Sequence, residues 1–141
     1  EVNGIPVRIE LGKRDLDAGV ITLARRDTGE KVTISKDVDI AEEVKALLDN
    51  IQTSLYQKAL ARRNELTYNC TTLDEVKNIM ETKPGFIYAP WCGKTECELK
   101  MKEIRGTKSR CIDESHVCGE DEKCVVCGEK AKHMVVWGIQ Y

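Results

Sequence analysis

The sequence predicts an α+β fold in which the end of an α/β domain is followed by a small two-layer α+β domain. Segments of alternating apolar and polar residues, typical of strands, are separated by segments of helical periodicity. Cysteines are concentrated in residues 92–127. A chain of 141 residues forms one domain or two small ones. A second domain of this size buries too small a hydrophobic core to be stable without an additional cross-link such as a metal ion.

The first half of the chain predicts three strands and a long helix. Residues 5–11 are rich in β-branched residues and predict a strand, and polar residues 12–15 predict a loop after it. Residues 20–25 and 31–35 predict a β-hairpin, with Gly29 where the turn needs a left-handed backbone. Helical periodicity runs from Asp39 to about Leu66 and begins with a capping-box pattern. The apolar stripe of this helix consists of Val44, Leu47, Leu48, Ile51 and Leu55.

The second half predicts a separate arrangement of helices and strands. Thr72 and Glu75 form a second capping-box pattern, which opens a short helix that ends at the Lys-Pro-Gly of residues 83–85. Residues 95–104 predict a further helix, and residues 113–122 form an acidic loop. Strands are predicted at residues 86–89, 108–112 and 133–141. We place the domain boundary at residue 70, which gives domains of residues 1–70 and 71–141.

Four cysteines form two closely spaced pairs, Cys92 with Cys97 and Cys124 with Cys127. One turn can deliver both ligands of such a pair, and four thiolates form a closed tetrahedral zinc site. Gly128 follows the last thiol, where a zinc knuckle needs a positive φ. The pattern predicts a structural Zn²⁺ ion. No coordination position would stay open for catalysis.

Two other interpretations of the cysteines remain, namely buried free thiols and a disulfide framework. An odd number of cysteines and the lack of an apolar leader favour a reducing compartment, and hence the cytoplasm. Outside the two pairs, Cys118 is the only substitute ligand that we consider. His116 and His133 are expected to be surface or strand residues.

Charge and hydropathy limit the possible partners. A net charge of -2 and a pI near 5.8 exclude a generally basic coat for nucleic acid, so any RNA contact must be local. No apolar run approaches the roughly 20 residues that a membrane-spanning helix needs. We therefore expect neither a membrane nor DNA as a partner. Because the sequence begins at Glu1, we expect it to be part of a longer protein.

Several segments, taken in order, resemble the C-terminal part of the prolyl-tRNA synthetases of archaeal and eukaryotic type. They are residues 9–16, the hairpin of residues 20–31, residues 89–93, the knuckle of residues 124–128 and the terminal Tyr141. Lys13 is a departure, because the family usually has proline in Gly-Pro-Arg-Asp. The resemblance covers nearly the whole chain.

This resemblance implies a domain organisation and a set of partners. Residues 1–70 would end an anticodon-binding domain, and residues 71–141 would form the appended zinc domain. The parent enzyme would use ATP and Mg²⁺ to activate proline, transfer it to proline tRNA and act as a homodimer. None of the class II catalytic motifs occurs in this chain, so we expect no catalytic residue in it. Tyr141 would pack toward the catalytic domain.

The resemblance also implies where tRNA would bind. The family's anticodon-binding domain reads guanines, which requires donors for O6 and N7 or an acceptor for the Watson–Crick edge. Lys13 and Arg14 offer donors and Asp15 an acceptor, although Arg14 and Asp15 could instead pair and brace the turn. Arg25 and Arg26 are expected on a solvated face, with phosphate contact as the alternative.

Two functions from other classes remain open. A free-standing structural zinc module could mediate a protein interaction through its acidic loop. A thiol redox protein could use Cys124 and Cys127, but the motif lacks the strand and helix that lower a thiol pKa in thioredoxin-like folds.

Overall fold

A computed structural model describes residues 2–139, which form two compact units, Glu1–Ala61 and Arg62–Tyr141. Helices and sheets occur in both units, which confirms the α+β class. The predicted role of Tyr141 lies outside the described residues. Assignment of residues 1–70 and 71–141 as two functional domains stays a prediction. No helix among the described residues is long and apolar enough to cross a membrane.

The first unit contains an antiparallel three-stranded sheet in the order β1-β2-β3. Its elements are β1 Val7–Glu10, α1 Lys13–Ala18, β2 Val20–Arg25, β3 Lys31–Ser35 and most of α2 Ile40–Glu65, whose last residues fall in the second unit. Ile21, Leu23 and Ile51 are buried. The predicted hairpin is confirmed, and Gly29 in its turn has a φ of 75°.

Residues 13–15 lie in a short helix and not in the predicted loop. The Asp15 carboxylate accepts a hydrogen bond of 2.8 Å from the Gly12 N–H at the start of α1. Gly19 ends α1 in a left-handed conformation, with a φ of 71°. A helix of only 6 residues shows little periodicity in the sequence, so its caps define it.

The long helix α2 was predicted within one residue of its observed ends. Asp39 caps it, because its Oδ1 accepts hydrogen bonds from the N–H groups of Ala41 and Glu42 at 2.9 and 3.2 Å. Of the predicted apolar stripe, Ile51 is buried, whereas Leu48 and Leu55 are exposed. A helix of 26 residues is about 39 Å long. A sheet of short strands can cover only part of that length, so some of the apolar residues of α2 stay exposed.

The second unit contains a mixed four-stranded sheet in the order β4-β5-β7-β6. Its elements are β4 Thr67–Asn69, α3 Leu73–Thr82, β5 Phe86–Trp91, α4 Thr95–Glu103, β6 Thr107–Ile112 and β7 His133–Ile139. Strand β4 is parallel to β5, and the other pairs are antiparallel. The sequence did not predict β4, because 3 residues are too few for a detectable alternation.

The core of the second unit lies between its helices and one face of its sheet. Ile87 and Ala89 alternate along β5, as Val135 and Trp137 do along β7, so each pair faces the same side. These side chains cluster with Val76, Met80 and Met101 of the two helices. Trp137 is fully buried, and its Nε1 donates a hydrogen bond of 3.3 Å to the carbonyl oxygen of Ala89.

The capping box predicted for α3 is confirmed. The Thr72 hydroxyl accepts a hydrogen bond of 3.3 Å from the Glu75 N–H, and the Glu75 carboxylate accepts one of 3.1 Å from the Thr72 N–H. The carboxylate also accepts from the Thr71 N–H at 2.9 Å. The N–H groups of Thr71 and Thr72 lower the pKa of Glu75, because they donate hydrogen bonds to its carboxylate.

We predict that Gly85→Ala strongly destabilises the second unit. A Cβ at Gly85 would lie 2.1 Å from the carbonyl oxygen of Leu66, a backbone atom that cannot rotate away. We expect a loss of at least about 2–4 kcal/mol in the free energy of unfolding. The measurement is urea unfolding followed by the fluorescence of Trp91 and Trp137, which both lie in this unit.

Gly106→Ala is the matched control for Gly85→Ala. Its Cβ would meet nothing within 4 Å, and only the φ of 71° is unfavourable. We therefore expect a loss of roughly 1 kcal/mol. Equal effects of the two substitutions would contradict the proposed clash.

Candidate metal centre and nucleic-acid interface

The first cysteine pair lies where β5 passes into α4. Cys92 directly follows β5, and Gly93 turns the chain with a φ of 87°. Cys97 lies in the first turn of α4, as predicted, and its N–H donates a hydrogen bond of 3.1 Å to the carbonyl oxygen of Lys94. Trp91 Nε1 donates to the same carbonyl oxygen at 3.2 Å. The turn between Cys92 and Cys97 is therefore fixed by hydrogen bonds from Trp91 on one side and from Cys97 on the other.

The second pair lies at the tip of a small hairpin. Lys123 and Lys130 form an antiparallel bridge at its base. The Cys124 N–H donates to the carbonyl oxygen of Glu129 at 2.7 Å, and the Gly128 N–H donates to that of Cys124 at 2.9 Å. Gly128 has a φ of 74°, which confirms the positive φ expected of a knuckle.

Backbone hydrogen bonds attach this hairpin to the end of β5. The Val125 N–H donates to the carbonyl oxygen of Pro90 at 2.9 Å, and the Lys132 N–H donates to that of Trp91 at 2.8 Å. An ion pair of 2.6 Å between Lys94 and Glu129 joins the two turns at the surface. These contacts bring the two cysteine pairs together, although residues 98–123 separate them in the sequence.

The four thiols form one compact group. Cys92 Sγ lies 3.6 Å from Cys97 Sγ and 3.7 Å from Cys127 Sγ, and all four sulfur atoms lie within 4.8 Å of one another. In a zinc tetrahedron with Zn–S bonds of about 2.3 Å, sulfur atoms are about 3.8 Å apart. A disulfide needs about 2.05 Å, and the cysteines are free thiols. The spacing therefore fits a cation at the centre.

Burial and hydrogen bonding act differently on these thiols. Cys92, Cys97 and Cys124 are buried, whereas Cys127 is exposed. Burial raises the pKa of Cys92 and Cys97. Burial also acts to raise the pKa of Cys124, but the backbone N–H groups of Cys127 and Val126 favour its thiolate and lower the value to about 7. The backbone N–H groups of the second pair therefore prepare Cys124 as a thiolate ligand.

The remaining cysteines lie apart from this group. Cys70 is buried in the core, and burial raises its pKa to about 11, whereas Cys111 is exposed. Cys118 was considered as a substitute ligand for the four-thiol site, but it lies instead beside His116 and Glu122. This second group of possible ligands was not predicted from the sequence, where His116 was expected to be a surface or strand residue. The spacing His-x-Cys-x₃-Glu was the available signal.

Lys13 and Arg14 lie at the start of α1, immediately after β1, and both are exposed. Within residues 2–139, neither takes part in an ion pair. Asp15 caps α1 through its Oδ2 instead of bracing Arg14. The two cations are therefore available to a ligand, and the Oδ1 of Asp15 is available as an acceptor.

Arg25 does not lie on the solvated face that we expected. Its guanidinium makes two hydrogen bonds of 2.7 Å to the carboxylate of Asp27 and one of 2.9 Å to the side chain of Asn50. Only 10% of the Arg25 side chain and 4% of the Asp27 side chain are exposed. Arg26 is exposed and lines an open groove of about 240 Å³ with Arg8, Arg25 and Lys31. The guanidinium of Arg25 is occupied by Asp27 and Asn50, and phosphate contact by Arg26 stays a prediction.

Comparisons with known proteins agree with the two units. Residues 73–141 match the family described as "Prolyl-tRNA synthetase, C-terminal", and residues 1–50 match the family described as "Anticodon binding domain". The chain is 46% identical over 143 residues to a proline--tRNA ligase of Clostridium novyi. It is 45% identical over 143 residues to proline--tRNA ligase 2 of Bacillus thuringiensis (strain Al Hakam). Each alignment covers 100% of this chain and 29% of the relative.

We predict that the Arg25–Asp27 pair makes the stability of the first sheet depend on pH. Hydrogen bonds from Arg25 lower the pKa of Asp27. The stabilisation is therefore present above the unfolded carboxyl pKa of about 3.9 and is lost as the pH falls through the lower folded value. Asp27→Asn should speed hydrogen exchange in peptides from β2 and β3 at neutral pH, and its difference from the wild type should shrink below about pH 4.

Asp17→Asn is the control for this experiment, because it removes the same charge at an exposed position of the same unit. We expect its exchange to follow the wild type at every pH. A difference between Asp27→Asn and the wild type that stayed constant from neutral to acid pH would disprove the assigned role of the pair.

Proposed function

We propose that this chain, whose residues 73–141 match the prolyl-tRNA synthetase C-terminal family, forms the tRNA-recognition and structural part of a proline--tRNA ligase. The observation that carries the proposal is the 46% identity to such a ligase over the whole chain. The chain spans 29% of the length of that relative. ATP, Mg²⁺, proline and homodimer formation are accordingly proposed for the longer protein, and we assign no catalytic residue here.

We propose Zn²⁺ as the ion held by Cys92, Cys97, Cys124 and Cys127. Four sulfur donors at tetrahedral spacing favour zinc or iron, and zinc is the common structural choice. Four thiolates leave no position for water or substrate, so the ion would not act as a Lewis acid. Its role would be to lock the hairpin of the second pair onto the end of β5.

We further propose that Lys13, Arg14 and Asp15 contact the anticodon of proline tRNA. The exposed cations at the start of α1 provide a local donor set on a chain whose net charge is -2. A guanidinium fork can bind O6 and N7 of guanine together. The match of residues 1–50 to an anticodon-binding domain supports the location.

The subtype and the compartment are also proposals. We propose the archaeal and eukaryotic type because of the segments that resemble it, although the relatives compared above come from Clostridium and Bacillus. The order of domains in the longer protein would test this. Free thiols are consistent with action in the cytoplasm. A free-standing zinc module is less well supported, because it would not need an anticodon-binding domain ahead of it.

We predict that Cys124→Ser removes tightly bound zinc and unfolds the second unit. Structural zinc contributes on the order of 10 kcal/mol in small modules, which is comparable to the whole stability of a domain. Zinc that survives dialysis against a chelator should fall from one equivalent to none, and the near-ultraviolet circular dichroism of buried Trp137 should be lost.

Cys111→Ser provides the control, since it makes the same chemical change at an exposed position outside the four-thiol group. We expect it to retain tightly bound zinc and the wild-type spectrum. Full retention of tightly bound zinc in Cys124→Ser would show that the ligand set is wrong.

We predict that Arg14→Ala in the longer ligase weakens aminoacylation of proline tRNA but not proline activation. Loss of a guanine contact costs about 1–3 kcal/mol, or roughly 5- to 150-fold in kcat/KM for tRNA. Proline-dependent exchange of pyrophosphate into ATP should stay near the wild-type rate, because it needs no tRNA.

Lys45→Ala is the control for Arg14→Ala, as it removes one exposed cation from α2 of the same unit. It should leave both activities unchanged. Equal losses of aminoacylation and exchange in Arg14→Ala would argue against anticodon recognition by this residue.

A further inference from the structure

A second group of metal-ligating side chains lies in the loop between β6 and β7. His116, Cys118 and Glu122 each offer one donor atom, and these atoms lie within 4.8 Å of one another. None of the three belongs to the four-thiol group. The family assignment and the proposed role in tRNA recognition use none of them.

The backbone of this loop directs the three side chains toward one point. Val117, between His116 and Cys118, is 89% exposed and offers no ligand to the group. Cys118 is half-buried. His116 Nε2 lies 2.8 and 3.0 Å from the two carboxylate oxygens of Glu122.

Hydrogen bonds fix the Glu122 carboxylate and the loop around it. The Gly119 N–H donates to Glu122 Oε2 at 2.7 Å, which orients the carboxylate so that both of its oxygens face His116 Nε2. The Ala131 N–H donates to the carbonyl oxygen of Glu122 at 2.9 Å. Asp113 holds the other end of the loop by accepting from the Ser115 N–H at 3.0 Å. A ligand carboxylate oriented by a second hydrogen bond is a regular feature of metal sites.

We propose that His116, Cys118 and Glu122 form a second zinc site with solvent at the fourth position. One imidazole nitrogen, one thiolate and one carboxylate oxygen suit zinc, whereas Mg²⁺ and Ca²⁺ select oxygen ligands. Acidic side chains of the same loop, such as Glu114 and Asp121, add an attractive potential for a cation. The proposal does not depend on the ligase function.

Zinc binding requires only a small opening of the His116–Glu122 contact. With Zn–N and Zn–O distances of about 2.0–2.1 Å, a tetrahedral ion separates its nitrogen and oxygen ligands by about 3.3 Å. The observed separation of 2.8 Å therefore needs to grow by about half an ångström, which a loop side chain can provide. Because the site has three ligands and is partly exposed, its zinc should exchange faster than zinc in the closed four-thiol site.

The test is a titration of the chain, with its four-thiol site already loaded, against zinc in a buffer that contains a competing chelator. We expect the wild type to bind one further equivalent of zinc, and Cys118→Ser and His116→Gln to lose this equivalent while they retain the first. In a parallel titration, Co²⁺ should produce additional sulfur-to-cobalt charge-transfer absorbance in the wild type and none in Cys118→Ser.

Cys111→Ser and His133→Gln are matched controls, since they make the same chemical changes outside both groups. Both should bind the second equivalent. Binding of a single equivalent by the wild type, or of two by both Cys118→Ser and His116→Gln, would overturn the proposal. Retention of the first equivalent shows that a variant is folded, so a folding defect cannot imitate the expected result.

Discussion

The docking of residues 123–132 on the end of β5 is the interaction on which the second unit depends. Two backbone hydrogen bonds, from Val125 to Pro90 and from Lys132 to Trp91, bring thiols from distant parts of the chain into one group. That group buries three cysteines without a disulfide. Buried thiols at this separation contribute little by themselves, and the proposed Zn²⁺ ion would give the arrangement its physical purpose.

The core and the sulfur group support each other. Strand β5 supplies Ile87 and Ala89 to the core and ends in Trp91, which packs against both the core and the thiols. Helix α4 likewise contributes Met101 to the core and Cys97 to the thiol group. A unit of this size buries limited apolar surface, and the proposed metal at the edge of the core would compensate for that limit.

The first unit has a different character. Its short α1 presents Lys13 and Arg14 to solvent, while Arg25 is held inside by Asp27 and Asn50. Cations that bind RNA must be free of internal partners, because breaking an ion pair would offset part of the binding energy. Solvent exposure thus distinguishes Lys13 and Arg14, the candidate recognition residues, from Arg25, which has a structural role.

The sequence by itself determined the α+β class, the hairpin, the long helix, the cap at Thr72 and the two cysteine pairs, because each depends on local spacing or on a single cap. It also marked Gly128 as a turn residue. Tertiary structure alone decided that the Arg25 side chain is largely shielded and bonded to Asn50, that three residues at 67–69 form β4, and that Cys118 lies beside His116 and Glu122. These features depend on partners far along the chain or on the path of an irregular loop, and local periodicity carries no information about either.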